Sequence, residues 1–171
     1  MRHLQHILQN NRLIKQICFK PHPRLFSELE IHPDWGHEKA AAYYDFWKNS
    51  HNCQLQTGSF SDLFMTSDAM IHDSGSFSVE YHYSQKPVLF LTSNEKAVRS
   101  QLNELGMKAL DAHYIGVNED DVVKFIKEVV MEGVDPMKET RKRFFNDYLL
   151  PPNGKSAAEN IYNDIVESLW P

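Results

Sequence analysis

The stretch AMIHDSGSFSVEYHYSQKPVLFL, from Ala69 to Leu91, contains two short apolar runs separated by a small-residue turn and a polar segment. Ala69–His72 and Val88–Leu91 predict buried strands, because short apolar runs bounded by turn residues are typical of strands. Residues Ser76–Tyr83 between them predict a helix. Strand, helix and strand in this order form the building unit of a parallel sheet.

The rest of the chain continues this alternation of short apolar runs and helical patterns. Three more strands are predicted, at Leu13–Phe19, Cys53–Gln56 and His113–Val117. Helices are predicted around Leu4–Leu8, Glu38–Trp47, Ser61–Asp68, Asn94–Gly106, Asp120–Glu132, 136–148 and 156–169, with Ser61 as an N-cap and Gly106 as a C-terminal glycine. The fold class is therefore α/β, a parallel sheet in three layers with helices on both faces.

The length of 171 residues predicts one domain, residues 1–171, with the C-terminal helices 136–171 packing back on it. Ser27–His37 is predicted to be a polar loop or lid. The aromatic segment Trp35–Trp47 allows three interpretations: an acceptor-side surface, a membrane-facing patch or ordinary core.

Composition and charge exclude several classes of protein. A formal net charge of −5 argues against nucleic-acid binding, which relies on clustered Lys and Arg. The most basic stretch, Lys138–Arg143, is interpreted as a solvated helix face. No run of apolar residues is long enough to span a bilayer. Cys18 and Cys53 are predicted to be buried free thiols, so the expected location is the cytoplasm.

The turn Asp73-Ser74-Gly75-Ser76, directly after a predicted strand, is the first candidate site. Ligands of parallel sheets bind beyond the carboxyl ends of the strands. A helix beginning near Ser76 would offer unpaired N–H groups, and Gly75 would allow close approach of a diphosphate. Glu80, one helical turn further along, would accept hydrogen bonds from a ribose. The alternative is a tight turn in which Ser76 only caps a helix and Glu80 is merely solvated.

A second strand end carries the other candidate, His22 in the sequence Lys20-Pro21-His22-Pro23. Two prolines fix the backbone around one imidazole, which can donate to a phosphate or transfer a proton. The alternative is that the prolines simply end an edge strand. His32, His37, His51 and Cys53 lack the spacing of a metal site, and neither a metal nor a cofactor is expected.

Three segments together resemble a known family. They are FKPHPRL (Phe19–Leu25), the stretch from Ser61 to Leu91 that includes the turn, and LLPPNGKSAAENIYNDI (Leu149–Ile165). In this order they resemble the C-terminal half of the CDP-glycerol:poly(glycerophosphate) glycerophosphotransferase-like family, the teichoic-acid and capsule polymerases. The resemblance implies a Rossmann-like domain of the C-terminal GT-B type that binds the nucleotide donor.

The resemblance also implies roles for the candidate residues. Ser74, Gly75 and Ser76 would face the donor diphosphate, and Glu80 would bind the ribose. His22 would stabilise the leaving nucleotide, and Asp73 would orient the turn. The family's usual Asp-Tyr-Ser-Ser stands here as Asp-Ser-Gly-Ser, and this form is also similar to nucleotide-sugar epimerases, so the donor is CDP-glycerol or a nucleotide sugar.

A GT-B enzyme has two such domains, and the resemblance assigns this chain to one of them. The expectation is a donor-binding half, inactive alone, that needs an N-terminal GT-B domain in the same or another chain. The full-length enzyme would associate peripherally with the inner face of the membrane. The alternative is a non-catalytic α/β module that binds a nucleotide or another protein.

Overall fold

The computed structural model describes residues 16–151 and 153–169 of the chain. The chain divides into two units, one ending at Ser67 and one beginning at Asp68, and each is described by itself. The opening helix predicted around Leu4–Leu8 lies outside the described residues. A single domain over residues 1–171 stays a prediction.

The first unit is built around two parallel strands. β1 (Ile17–Phe19) pairs with β2 (Cys53–Leu55), with Ile17 opposite Cys53. Two helices connect them, α1 (Leu25–Ile31) and α2 (Gly36–Asn49), and α3 (Ser61–Thr66) follows β2. This is the strand, helix and parallel strand arrangement that the sequence predicts.

Two local predictions for this unit were wrong. The polar loop expected at Ser27–His37 is largely helical, because α1 ends only at Ile31 and α2 begins at Gly36. Leu25 and Leu29, one helical turn apart, are both half-buried and give α1 an inward face. Ser61 is not an N-cap, since Phe60 occupies that position without a side-chain cap bond.

The aromatic side chains of α2 form the interior of this unit. Trp47 is buried and stacks on Phe19 of β1 with ring centroids 4.8 Å apart. Tyr43 and Tyr44 meet the same Phe19 ring edge-on at 5.5 and 6.2 Å. Such edge and stacked pairs are the favoured geometries of packed aromatics, so these residues have the ordinary core role among the three interpretations.

The second unit contains a three-stranded parallel sheet. Its order is β3 (Met70–His72), β4 (Val88–Leu91) and β5 (Tyr114–Gly116). Its helices are α4 (Glu95–Arg99), α5 (Glu104–Leu110), α6 (Glu119–Lys124), α7 (Lys138–Phe144) and α8 (Ala157–Leu169). α6 and α7 continue as wider π-helical turns, Phe125–Met131 and Phe145–Leu149. Parallel strands joined by helical segments confirm the predicted α/β class.

The connection from β3 to β4 is not the predicted helix. Gly75–Phe77 and Glu80–Ser84 form two short 3-10 turns instead. The side chain of Ser74 accepts a hydrogen bond from the N–H of Ser76, and such side-chain bonds compete with a continuous helix. Gln85, at a left-handed φ of 56°, ends the second turn.

The long helix predicted for Asn94–Gly106 is divided into α4 and α5. The side chain of Asn103 accepts from the N–H of Gly106 and thereby starts α5 as its N-cap. Gly106 consequently lies inside a helix, buried, and does not end one.

α7 contains the basic stretch that was interpreted as solvated. Lys138, Lys142 and Arg143 are exposed, as expected. Arg141 is 1% exposed and forms an ion pair with Asp135, so the interpretation was wrong for this residue. A cation is buried only with a partner, and here the partner precedes it by six residues.

Both cysteines of the first unit are free and half-buried, and burial raises the pKa of each thiol. Within residues 16–151 and 153–169, the helices are too short or too polar to cross a lipid bilayer.

Gly116 and Gly75 provide a matched pair for testing the packing of the second unit. A Cβ at buried Gly116 would lie 3.0 Å from Cδ2 of Leu89, whereas one at Gly75 would meet nothing within 4 Å among the described residues. Neither glycine has a positive φ. Gly116→Ala is expected to lower the free energy of unfolding by about 1–3 kcal/mol, and Gly75→Ala by less than about 0.5 kcal/mol. Urea unfolding measures both, and equal losses would contradict the described packing of β5 against β4.

Candidate functional site

The turn of residues Asp73–Ser76 lies at the carboxyl end of β3. Because β3, β4 and β5 are parallel, their carboxyl ends meet at one edge of the sheet, where α/β proteins bind ligands. Asp73, Gly75 and Ser76 are exposed, and Ser74 is half-buried. The turn therefore presents its polar groups and its glycine to solvent.

Ser74 shapes this turn from the inside. Its carbonyl oxygen accepts hydrogen bonds from Nδ1 of His72 at 2.9 Å and from Oγ of Ser78 at 3.4 Å. Its own hydroxyl accepts from the N–H of Ser76 at 3.3 Å. The open surface of the turn is thus formed by Gly75 and by the side chains of Asp73 and Ser76.

The prediction of an α-helix beginning near Ser76 was wrong, so the turn does not offer a helix N-terminus to a diphosphate. The segment that starts at Gly75 is a three-residue 3-10 turn, and a macrodipole requires a run of aligned peptides. Glu80 is exposed and opens the second 3-10 turn, so the predicted spacing of one α-helical turn after Ser76 is not kept. What remains is a glycine-containing, hydroxyl-bearing turn with a carboxylate following it.

His22, the other predicted residue, belongs to the first unit, whereas Asp73, Ser74, Gly75, Ser76 and Glu80 belong to the second. His22 is exposed, and its Nδ1 accepts a hydrogen bond from the N–H of Arg24 at 3.2 Å. A neutral imidazole carries one proton, so this contact places the proton on Nε2. His22 therefore has an N–H available for an anion without first being protonated.

Behind the turn lies a chain of three histidines that sequence reasoning missed. Nε2 of His72 is 3.1 Å from Nε2 of His113, and Nδ1 of His113 is 3.3 Å from Nε2 of His82. Both His113 Nδ1 and His82 Nε2 lie near the carbonyl oxygen of Ala109, at 2.8 and 3.2 Å. All three imidazoles are buried. These three residues are called the histidine chain below.

Burial is the main influence on the charge of the histidine chain. It lowers the pKa of His72 to about 4, against the opposing effects of the Ser74 carbonyl and Asp73. It lowers the pKa of His82 to about 4, and that of His113, beside two other histidines, to about 2. Desolvation disfavours the charged form of a buried base. At neutral pH the chain is therefore uncharged.

The histidine chain is not a metal centre. Its contacts use both ring nitrogens of His113, so the three rings do not converge on one point. Over the described ranges 16–151 and 153–169, no group of three or more His, Cys, Asp or Glu has the arrangement of a metal site.

The pairing of the sheet would have indicated the histidine chain. His72 lies opposite Phe90, and Phe90 lies opposite Ile115. His113 precedes Ile115 by two residues and so belongs to the same face. Phe90 accordingly contacts both imidazoles, with ring centroids 5.0 Å from His72 and 6.2 Å from His113.

Comparison with known proteins adds one match. The sequence model of a family described as CDP-Glycerol:Poly(glycerophosphate) glycerophosphotransferase matches residues 3–167, nearly the whole chain. No curated protein and no solved structure gives a significant match. The matched range includes His22, the turn after β3 and the histidine chain.

Proposed function

Because the chain belongs to the CDP-glycerol:poly(glycerophosphate) glycerophosphotransferase family, we propose that it binds the nucleotide donor of a transferase that builds cell-envelope polymers. The observation that carries this proposal is the family match over residues 3–167. A nucleotide-activated donor, CDP-glycerol in the first place, fits the transfer for which the family is named. The alternative is a non-catalytic α/β module, which binds a nucleotide or a protein without transfer.

The exposed turn of the second unit is the proposed site for the donor diphosphate. Gly75 leaves room for close approach, since no described atom lies within 4 Å of a Cβ placed there. The exposed hydroxyl of Ser76 can donate to a phosphate oxygen, and exposed Glu80 can accept from ribose hydroxyls. Asp73 orients the turn, and Ser74 holds its shape through the contacts described above.

The proposed reaction is transfer of glycerophosphate to an acceptor hydroxyl. The hydroxyl oxygen forms a bond to the distal phosphorus of CDP-glycerol, the bond from that phosphorus to the CMP oxygen breaks, and the hydroxyl proton passes to water. CMP leaves with the bonding electron pair. His22 of the first unit keeps its predicted role of stabilising the leaving nucleotide, and Nε2 is the nitrogen that can donate, because Nδ1 accepts from the N–H of Arg24. Positioning and charge stabilisation supply most of the catalysis of such transfers.

The acceptor groups are proposed to lie on an N-terminal GT-B-type domain in the same or another chain. The chain of 171 residues is then expected to bind CDP-glycerol without transferring glycerophosphate. The full-length enzyme would work at the inner face of the membrane as a peripheral protein. An assay for CMP release in the presence of a polyglycerophosphate acceptor tests this, and turnover by the isolated chain would contradict it.

Binding of CDP-glycerol is expected to weaken about tenfold in each of the variants Gly75→Ala, Ser76→Ala and Glu80→Gln. Each removes one element of the proposed contact, an open approach or one hydrogen bond to a charged group. Isothermal titration calorimetry with CDP-glycerol, CMP and UDP-GlcNAc measures the change and ranks the donors. Gly75→Ala is the most informative variant. The described packing leaves room for its methyl group, so weaker binding would not result from a disturbed fold.

Matched controls are available in the same unit. Ser100→Ala and Glu132→Gln change exposed residues outside the turn and are expected to leave the Kd within twofold of the wild type. If the wild type binds none of the three nucleotides, the alternative of a non-catalytic α/β module that binds a protein is favoured. If it binds and all variants bind equally well, the donor site lies elsewhere.

A further inference from the structure

Two short contacts fix the position of protons in the histidine chain. Nδ1 of His72 is 2.9 Å from the carbonyl oxygen of Ser74, and Nδ1 of His113 is 2.8 Å from that of Ala109. A carbonyl oxygen only accepts hydrogen bonds, so each contact requires a proton on Nδ1. These two protons are all that a pair of neutral imidazoles carries.

The contact between the two rings then lacks a proton. With both protons on Nδ1, the Nε2 atoms of His72 and His113 face each other at 3.1 Å as two bare acceptors. His82 cannot supply the missing proton: its Nδ1 has no partner among the described residues, so its proton is on Nε2, toward Ala109. One additional proton between the two Nε2 atoms would complete their contact while both carbonyl oxygens keep their Nδ1–H donors.

Without that proton, the two rings cannot make all three contacts, one with each other and one with each carbonyl oxygen. If the proton of His72 moves from Nδ1 to Nε2, the contact with His113 is made and the Ser74 carbonyl loses its donor. If instead the proton of His113 moves to Nε2, its Nδ1 can accept from Nε2–H of His82, and the bond from His113 to the Ala109 carbonyl is lost. The uncharged chain therefore includes arrangements that hold the turn and one that releases it. The charged chain holds the turn and the Ala109 carbonyl at once.

The groups that face the chain decide which state is populated. Burial opposes the additional proton, as does Arg141 of α7, whose charge lowers the pKa of His82 and His113. Asp73 favours it from the turn. A bound diphosphate would place further negative charge on the same side as Asp73. Opposite charge nearby favours the protonated form of a base.

We propose that His72 is the positioning residue of the donor turn, holding the Ser74 carbonyl through Nδ1–H, and that binding of a nucleotide diphosphate draws one proton into the histidine chain. The inference rests on the proposed function, because it takes the turn to be the donor site. It adds a role for His72 and an uptake of one proton on binding. Neither is required for donor binding by Gly75, Ser76 and Glu80.

Two substitutions of His72 separate positioning from packing. The amide nitrogen of Asn lies where Nδ1 of the imidazole lies, so His72→Asn keeps a donor toward Ser74 but cannot titrate. The amide of Gln reaches the position of Nε2, so His72→Gln keeps the contact toward His113 and loses the donor to the turn. Both variants remove one buried aromatic ring. A difference between them therefore reports on the hydrogen bond that is lost and not on packing.

The experiment is calorimetric titration of CDP-glycerol at pH 7.5 and 5.5, in two buffers of different ionisation enthalpy, with folding checked by circular dichroism. The wild type is expected to bind about threefold more tightly at pH 5.5, with net proton uptake. His72→Asn is expected to bind within twofold of the wild type at pH 7.5 and equally at both pH values. His72→Gln is expected to bind about tenfold more weakly at both.

Equal weakening by the two variants, or the same pH dependence in His72→Asn as in the wild type, would overturn the inference. If the wild type binds no CDP-glycerol, the proposed function fails. The positioning role of His72 is then tested by NMR on the ligand-free protein. In that case His72→Gln, but not His72→Asn, should shift the backbone amide NMR resonances of Gly75 and Ser76. Unchanged turn resonances in both variants would refute the role.

Discussion

At pH 5.0 the unit beginning at Asp68 is expected to be about 6 kcal/mol less stable than at pH 7.5. The folded unit keeps His72 and His82 neutral down to about pH 4, and His113 to about pH 2. In the unfolded chain each histidine titrates near pH 6.5. Below pH 6.5 the unfolded state therefore binds protons that the native state does not, so the free energy of unfolding falls as the pH falls.

The size of the loss follows from the number of these histidines. Each contributes about 1.4 kcal/mol per pH unit below pH 6.5, which is about 2 kcal/mol at pH 5.0. Above about pH 7.5 this source of pH dependence ends, because unfolded histidine is neutral there as well. Asp135, whose pKa is lowered in the folded unit, acts in the same direction but at lower pH.

Urea unfolding at half-unit steps between pH 7.5 and 5.0 measures the effect, and its slope gives the number of protons taken up on unfolding. Three protons are expected near pH 5, and two in His72→Asn. His51→Gln, which replaces an exposed histidine of the first unit, is expected to leave the slope unchanged. Uptake of less than one proton between pH 6 and 5 would contradict a buried, neutral histidine chain.

The strands could be predicted from the sequence because each is a short apolar run bounded by turn residues. β4 has the predicted ends, Val88 and Leu91, and the other described strands lie within their predicted ranges. The helices were less predictable where one side chain competes for a backbone N–H. Ser74 converts a predicted helix into 3-10 turns, and Asn103 divides another. These are single hydrogen bonds, which apolar periodicity does not reveal.

The candidate site, too, could be predicted only in part. Its location could be predicted, since the end of a parallel strand is fixed once the strand is recognised. The histidine chain behind the turn could not be predicted, because His72 and His113 meet across β4 only in the strand order β3-β4-β5. They are 41 positions apart in the chain, and only the register of the sheet brings them to one face.

Replacing Arg141 by Met is expected to lower the free energy of unfolding by about 3–5 kcal/mol. Arg141 is 1% exposed, and both of its terminal nitrogens bond to the carboxylate of Asp135. That carboxylate also accepts from the hydroxyl of Tyr114 at 2.8 Å. Burial raises the pKa of Asp135, but these hydrogen bonds outweigh it and hold the pKa below its usual value. Loss of the cation would leave a largely buried carboxylate without its counter-charge.

Arg143→Met is the matched control, because Arg143 is exposed on the same helix and is expected to cost less than about 0.5 kcal/mol. Asp135→Asn should cost as much as Arg141→Met, since it leaves a buried guanidinium unpaired. The double variant Arg141→Met with Asp135→Asn should cost at least 2 kcal/mol less than the sum of the two single changes. Additive losses, measured by urea unfolding, would show that the pair does not act as one unit.

The same Arg141→Met variant links the ion pair to the acid sensitivity of the unit. The charge of Arg141 lowers the pKa of His82 and His113, so its removal should raise both pKa values in the folded state. The folded unit would then bind protons at a higher pH, and the difference in proton binding from the unfolded state would shrink. Stability lost between pH 7.5 and 5.0 should therefore be smaller in Arg141→Met than in Arg143→Met. Equal losses in the two variants would mean that the ion pair and the histidine chain are electrostatically independent.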